Sequence, residues 1–406
     1  MVWKHVTTLL FLVSSFCNVL GNCPSAPLLY DRKSCRLHFN AVIESLLRPF
    51  NNGITNEMIS NVPSIQGLHN NVLRLRIKNK HLFCVADKRM ISGKKNPYRA
   101  LPFVKHVLKA LLQLPKDASN FDLWVQFADA PRYHKNSTVI RYPIFSQSSS
   151  EPYWEIPALP AWAMEKKSGR LEKNEILNLH KSFSKRWREK MPVAFFLGSL
   201  SGCLGNFTRC PRGEMIRKAQ ISNDPLMADI KAVSSSKTKH YFQSCASCVR
   251  NRASPKEYAK LIITHKYVLH LGGVGGYSAR IINLMHSGSL VFVGEPCADQ
   301  MASTCLLDGV HFITFNATQD AEDLKRKLQF AYSNDSLAAQ IAARAQSFAE
   351  MCLNSNAITL YVKMFLSKLS SLQSVQSSEF EAFSLMKCDT DKKGCLDIIS
   401  KQCSGT

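Results

Sequence analysis

Acidic side chains are scarce in this chain: Asp and Glu number 30 against 52 Lys and Arg, a formal net charge of +22 over 406 residues. That balance first suggests a nucleic-acid protein, yet long basic runs are lacking as well. The Lys and Arg residues are scattered, which equally describes a basic surface meeting acidic ligands or glycans. Past the N-terminus no segment reaches transmembrane length, so the sequence predicts no membrane span. Cys245 and Cys248 form a C-x-x-C, but a second such pair and an H-x-x-x-H are both missing. A zinc site is therefore disfavoured against a disulfide. The strict G-x-G-x-x-G dinucleotide fingerprint is absent too.

What is present begins with a leader. Lys4 and His5 precede an apolar core at residues 6–13, and Ser14, Ser15 and Gly21 follow. This is the pattern of a secretory signal peptide over residues 1–22, cut near Gly21 or Asn22. Of fourteen cysteines one, Cys17, lies in the leader; the thirteen left are an odd number, so at least one is unpaired. N-x-S/T sequons at Asn136, Asn206, Asn316 and Asn334 fit passage through the secretory pathway.

Residues 254–294 hold the most complete pattern. Ser254-Pro255-Lys256-Glu257 reads as a helix start, with serine as N-cap and proline at the first helical position. A β-rich run at 266–271 leads into Gly272-Gly273-Val274-Gly275-Gly276, then a helical pattern at 277–285, Gly288-Ser289 and an apolar strand at 290–293. Helix, strand, glycine turn, helix, strand is an α/β unit. Its glycines sit at a strand's C-terminal end, where backbone N–H groups can bind phosphate. Such a turn serves a purely structural purpose about as often.

Elsewhere, Phe103, Val107, Leu108, Leu111 and Leu112 recur at helical spacing. Residues 121–127 alternate, with Phe121, Leu123, Val125 and Phe127 on one face of a strand that ends at Ala128-Asp129-Ala130-Pro131. A turn role is the commoner one for such an aspartate. Residues 142–165 mix prolines and aromatics without a period, as an ordered loop does. Residues 166–190 read as an exposed helical linker. A buried strand follows at 193–197, ending in Gly198-Ser199, with Arg209, Arg212 and Arg217 beyond it. A hydroxyl and a guanidinium beside a strand end suit a pyrophosphate, though any surface loop can hold them. Then come a strand at 310–315 and helices at 320–332 and 335–351. The polar tail carries Asp389-Thr390-Asp391, read as a solvated D-x-D and not as a metal site.

Several of these stretches, in the same order, resemble glycosyltransferase family 90, and within it the Rumi-type protein O-glucosyltransferases. Pro49-Phe50-Asn51-Asn52-Gly53-Ile54 is similar to the family's Pro-Phe-x-x-Gly-Ile, and Phe127-Ala128-Asp129-Ala130-Pro131 to the strand end bearing its catalytic aspartate. The stretch from Tyr142-Pro143-Ile144-Phe145-Ser146 to Pro160-Ala161-Trp162 looks like the acceptor-side loop. Ala194-Phe195-Phe196-Leu197-Gly198-Ser199 looks like the Phe-x-Arg-Gly-Ser strand end, and residues 266–280 and 287–292 like the donor-site unit. The match departs at Leu197, where arginine is usual, at Ala128, in a glycine turn one residue longer, and in a C-terminus without a KDEL-like signal.

The resemblance implies an α/β protein of GT-B type, two Rossmann-like domains facing a cleft. An N-terminal acceptor-side domain at 23–190 would carry Asp129 as general base. A C-terminal domain at 191–370 would hold a UDP-sugar through Ser199, Arg280 and the turn with Gly275, Gly276 and Ser278; residues 371–406 form a tail. Arg212 is taken as the second guanidinium because it precedes Met215 in an Arg-x-x-apolar pattern, with Arg209 as the alternative. No metal and no separate cofactor are expected. The donor would be UDP-glucose or UDP-xylose and the acceptor a serine of a protein such as one with EGF-like repeats. The reaction would invert the sugar in the endoplasmic reticulum lumen or elsewhere along the secretory pathway, with secretion also open. Two other classes stay open: a lumenal pseudoenzyme binding a client protein, and a secreted polyanion- or glycan-binding protein.

Overall fold

The computed structural model describes residues 29–62, 72–78, 81–85, 101–114, 120–126, 142–146, 156, 167–168, 171–200, 211–272, 280–295, 306–317, 321–373 and 385–388. The chain divides into two compact units. One comprises Lys166–Ala298 and Leu306–Cys352 with the chain up to Ser34, and the other Cys35–Glu165, Asp299–Cys305 and Leu353–Thr406. This two-unit α/β organisation is the one expected of a GT-B protein.

The second unit begins with α1 (Arg32–Leu47), α2 (Asn56–Asn61) and α3 (Leu101–Leu111). Its strands β1 (Val72–Lys78), β2 (His81–Val85) and β3 (Phe121–Gln126) pair antiparallel, and β4 (Ile144–Phe145) runs parallel to β3. Alternation at 121–127 predicts a half-buried strand. In the structure all six residues of β3 are buried, because its other face is matched residue by residue. Trp124 Nε1 donates to the Ile59 carbonyl at 3.0 Å. The Asp122 carboxylate receives Arg74 at 2.5 Å and Arg76 at 2.8 and 2.9 Å.

The other unit opens with the small hairpin β5 (Lys167–Ser168) and β6 (Leu171–Glu172) and helix α4 (Lys173–Ser182). The exposed helical stretch expected at 166–190 is helical over Lys173–Ser182 and exposed at most described positions, but it is not a free linker. The segment belongs to this compact unit, and its His180 and Lys190 are buried. Protein oxygens satisfy Lys190, whose ammonium donates to the Ile263 carbonyl (2.7 Å), the Ser287 carbonyl (2.9 Å) and Ser289 Oγ (3.0 Å). Burial nonetheless lowers its pKa to about 8.

Next comes the sheet that organises the unit. Its strands are β7 (Met191–Gly198), β8 (Asp229–Val233), β9 (Val249–Arg250), β10 (His265–Leu271), β11 (Leu290–Glu295) and β12 (Ile313–Asn316). All neighbours are parallel, in the order β12-β11-β10-β7-β8-β9. The runs at 194–197 and 290–293 are apolar without alternation, and 267–271 is so but for His270, because helices cover both faces. On one face Phe196, Leu269 and Phe292 pack with Met215 and Ile216 of α5 (Pro211–Ile221). After β8 come α6 (Ser236–Tyr241) and α7 (Pro255–Thr264), and between β10 and β11 lies α8 (Arg280–His286). Tyr258 of α7 meets Phe195 on the opposite face, with ring centroids 5.9 Å apart. Ser254 caps α7 as its sequence predicts, accepting from the Glu257 N–H at 3.2 Å. Gly288, at φ +64, turns the chain out of α8 into β11, a conformation a side chain would strain. Cys245 and Cys248 are joined as a disulfide.

Helices α9 (Glu322–Ser333) and α10 (Asp335–Cys352) complete this unit. The chain then returns to the first-described one. Helix α11 (Ser355–Leu372), which the sequence reading placed with the donor domain, packs on α3 there, and β13 (Leu385–Cys388) adds to β2. Gln373 closes the join. It accepts from the Asp122 N–H and donates to the Asp122 carbonyl, both at 2.8 Å.

Asp122 thus holds two buried guanidiniums while its backbone receives the returning tail. Truncating one partner of a buried ion cluster costs about 3–5 kcal/mol. Asp122→Ala is expected to lose stability on that scale in urea unfolding; a loss under about 1 kcal/mol, the worth of a surface pair, would contradict a buried structural role.

Candidate functional site

The strand order has a consequence for where a ligand can go. Renumbered along the sheet, β9-β8-β7-β10-β11-β12 is the 3-2-1-4-5-6 order of a doubly wound nucleotide-binding fold. The chain leaves β7 in one direction through β8 and β9, crosses back, and leaves β10 in the other. Between the C-terminal ends of β7 and β10 the connecting loops therefore diverge and open a crevice.

Three of the residues singled out from sequence come together at that edge. Ser199 directly follows β7 and is exposed. Arg212, near the start of α5, is buried and reaches both strand ends. It donates to the Ser199 carbonyl at 2.7 Å, to the Leu271 carbonyl at 2.6 Å and to the Gly272 carbonyl. Arg280 opens α8, half-buried, with its guanidinium carbon 4.8 Å from the centre of the Phe196 ring. The Arg212 guanidinium carbon lies 5.8 Å from the same ring. One buried phenyl ring thus carries two cations, which the negative faces of aromatic rings attract.

Gly198 is required by this crowding. A Cβ there would stand 2.7 Å from Phe196 Cζ and 3.1 Å from an Arg280 nitrogen. His270, fully buried in β10, completes the setting. Burial first, then the charges of Arg280 and Arg212, push its imidazole down to about 3, so it is neutral at physiological pH. A strand-end crevice with two permanent cations and a neutral histidine suits an anionic ligand, and guanidinium geometry suits phosphate oxygens.

Asp129, Gly275, Gly276, Ser278 and the alternative Arg209 lie outside the described residues. So do the leader, the sequons at Asn136 and Asn206, most of the loop at 142–165, and Asp389-Thr390-Asp391. Sequence reasoning missed Phe196, His270 and the carbonyls of Leu271 and Gly272. The first two were hidden inside apolar strand runs. Backbone carbonyls leave no mark in a sequence. Among the described residues no group of three His, Cys, Asp or Glu is placed to hold a metal ion.

Arg212→Met keeps roughly the volume but removes the donors to three carbonyls. A hydrogen bond to a charged group is worth roughly 1.5–3 kcal/mol. Chemical unfolding should show at least that loss. Unchanged stability would mean the clamp between β7 and β10 is not a support of the fold.

The comparisons with known proteins agree with this setting. Protein O-glucosyltransferase 1 of Rattus norvegicus is 26% identical over 82% of this chain and 79% of its own length. The Homo sapiens protein of that name is 25% identical over 89% and 84%, and the O-glucosyltransferase rumi homolog of Anopheles gambiae 24% over 84% and 79%. Among solved structures, HepE of Anabaena in complex with UDP is 14% identical over 50% of this chain and 54% of that one, with a TM-score of 0.32, too slight a likeness to bear on the site. The family model described as Glycosyl transferase family 90 matches residues 31–392. The chain belongs to glycosyl transferase family 90 and is a glycosyltransferase.

Proposed function

We propose that the chain moves glucose or xylose from the corresponding UDP-sugar to a serine hydroxyl of a secretory-pathway protein, with inversion at the anomeric carbon. The observation that carries this reading is the convergence of Arg280, Arg212 and Ser199 at the β7/β10 crevice of a family 90 chain. Its relatives' names supply the acceptor class: protein O-glucosyltransferases act on protein.

Each group has a chemical task in this proposal. Arg280, half-buried and stacked on Phe196, meets the diphosphate and the charge that grows on it as UDP leaves. Arg212 shapes the crevice from beneath by fixing both strand ends. The Gly-rich turn with Gly275, Gly276 and Ser278 approaches the phosphates through its backbone. Asp129 follows β3 by three residues and serves as general base, since a serine hydroxyl is a poor nucleophile until its proton is taken. The serine oxygen bonds to the anomeric carbon and the bond from that carbon to the phosphate oxygen breaks. UDP departs with the electron pair, and Asp129 holds the proton. One base without a carboxylate nucleophile means one displacement, hence inversion.

One observation favours a second reading. Leu197, buried in β7, stands where the family carries arginine, as in a chain that binds a client protein without transferring sugar. Incubation with a panel of UDP-sugars separates the two, because an active enzyme transfers or slowly hydrolyses its donor and a pseudoenzyme does neither.

Two variants test the assignments. Calorimetry on Arg280→Ala should show UDP binding weaker by roughly 1.5–3 kcal/mol, the worth of a charged hydrogen bond; equal affinity would remove the donor site from this crevice. Asp129→Asn keeps shape but accepts no proton, so transfer should slow by roughly 10²–10⁴ while UDP affinity and melting temperature stay close to wild type. A folded Asp129→Asn protein with near-normal transfer would end the base assignment.

A further inference from the structure

Away from the donor crevice, helices α9 and α10 are joined by Asn334 alone, and this residue begins the tripeptide Asn334-Asp335-Ser336. We infer that Asn334 carries an N-linked glycan beside the exposed Phe330 ring at the end of α9. The inference rests on the secretory-pathway reading above and is independent of the donor site.

A glycan is added largely before the chain has folded, so the native structure acts as a filter: a sugar on a side chain that must become buried blocks folding. Asn334 passes this filter, since it and Ser336 are both exposed. The middle residue, Asp335, is held by Lys266 at 2.6 Å.

The local hydrogen bonding also tolerates the modification. Asn334 caps α9 through its backbone N–H, which donates to the Phe330 carbonyl at 2.9 Å, and its Nδ2 donates to the same oxygen at 2.8 Å. The donor is a lipid-linked oligosaccharide pyrophosphate. In the transfer the bond between the sugar's C1 and the pyrophosphate oxygen breaks, and C1 bonds to Nδ2. The amide gives up one of its two protons, and the lipid pyrophosphate leaves with the electron pair. One N–H remains on Nδ2, enough to keep the cap.

The surface beside it supplies a reason for a sugar to settle there. Phe330, four residues before Asn334 and therefore on the same side of the helix, is 37% exposed. An exposed phenyl ring is apolar surface that a neighbouring group can shield from water. Pyranose rings present C–H faces that pack on aromatic rings while their hydroxyls face water. Asn316, the other sequon asparagine in the described chain, is a poorer site. It ends strand β12, is only partly exposed, and its backbone N–H is tied to Asp323 at 2.9 Å.

The test uses the full chain with its leader, produced in a eukaryotic secretory host. An amidase that frees N-glycans converts each glycosylated asparagine to aspartate, and peptide mapping reads the converted positions on the unmutated protein. Aspartate at position 334 in most chains is expected. Asn334→Gln and Ser336→Ala should each remove one glycan-sized step in gel mobility. A cut leader with Asn334 unconverted, whether or not Asn136, Asn206 or Asn316 is converted, overturns this site and leaves the compartment standing. An uncut leader with no converted sequon overturns both.

Discussion

The candidate donor site hangs on one buried guanidinium. A charge inside a protein is tolerated only where its hydrogens are satisfied, and Arg212 meets that condition with backbone carbonyls at the ends of two adjacent strands. Those carbonyls have no further strand residue to pair with, because β7 and β10 both stop there and their connections diverge. The arginine ties together the two strand ends that define the crevice. Its acceptors are neutral dipoles, so they satisfy the N–H groups without cancelling the charge. Phe196 lies beneath, His270 is held neutral beside it, and Arg280 stacks on the same ring. The opposite edge of the sheet is tied in the same manner by Lys190, whose ammonium gathers oxygens from the end of α7 and from the turn between α8 and β11.

The other unit uses a different device. There the buried cations, Arg74 and Arg76, are matched by the carboxylate of Asp122 in the middle of β3. The same residue's backbone is paired to Gln373, so the strand is fixed by segments far apart in sequence. The base proposed above, Asp129, for which misplacement by an ångström could cost a hundredfold in rate, comes three residues after this strand in the sequence.

Much of the parallel unit was legible before any coordinates. The apolar runs at 193–197 and 290–293 and the β-rich run at 266–271 mark strands, and the observed β7, β11 and β10 extend them by only one to three residues. The Ser254 cap and the Cys245–Cys248 disulfide follow from local chemistry, and local chemistry is what a sequence displays best. The second unit was harder to read because its order is non-local. Val72-Leu73-Arg74-Leu75-Arg76-Ile77 alternates as a strand should, yet arginines on alternate positions suggest a solvated face until Asp122 is known to lie opposite. Residues 166–190 are rich in charge and read as a linker for the same reason. What satisfies Lys190 is two backbone carbonyls and the Ser289 hydroxyl, and carbonyls are common to every residue. Likewise α11 and β13 return to this second unit, a topology no periodicity announces.

The departure at Leu197 can be weighed by strand geometry. Successive side chains of a strand point to opposite faces, so Phe196 and Gly198 share one face of β7 and Leu197 occupies the other. Both guanidiniums stand on the Phe196 side, and the absent Cβ of Gly198 makes room for one of them. The family's arginine at this position would therefore project away from the Arg212–Phe196–Arg280 stack. Its replacement by a buried leucine removes a charge from the far side of the strand but leaves both cations of the stack in place. The phosphate-binding role proposed for this crevice is consequently compatible with the substitution. Whatever position 197 contributes in other members, it is not what holds Arg280 over its ring.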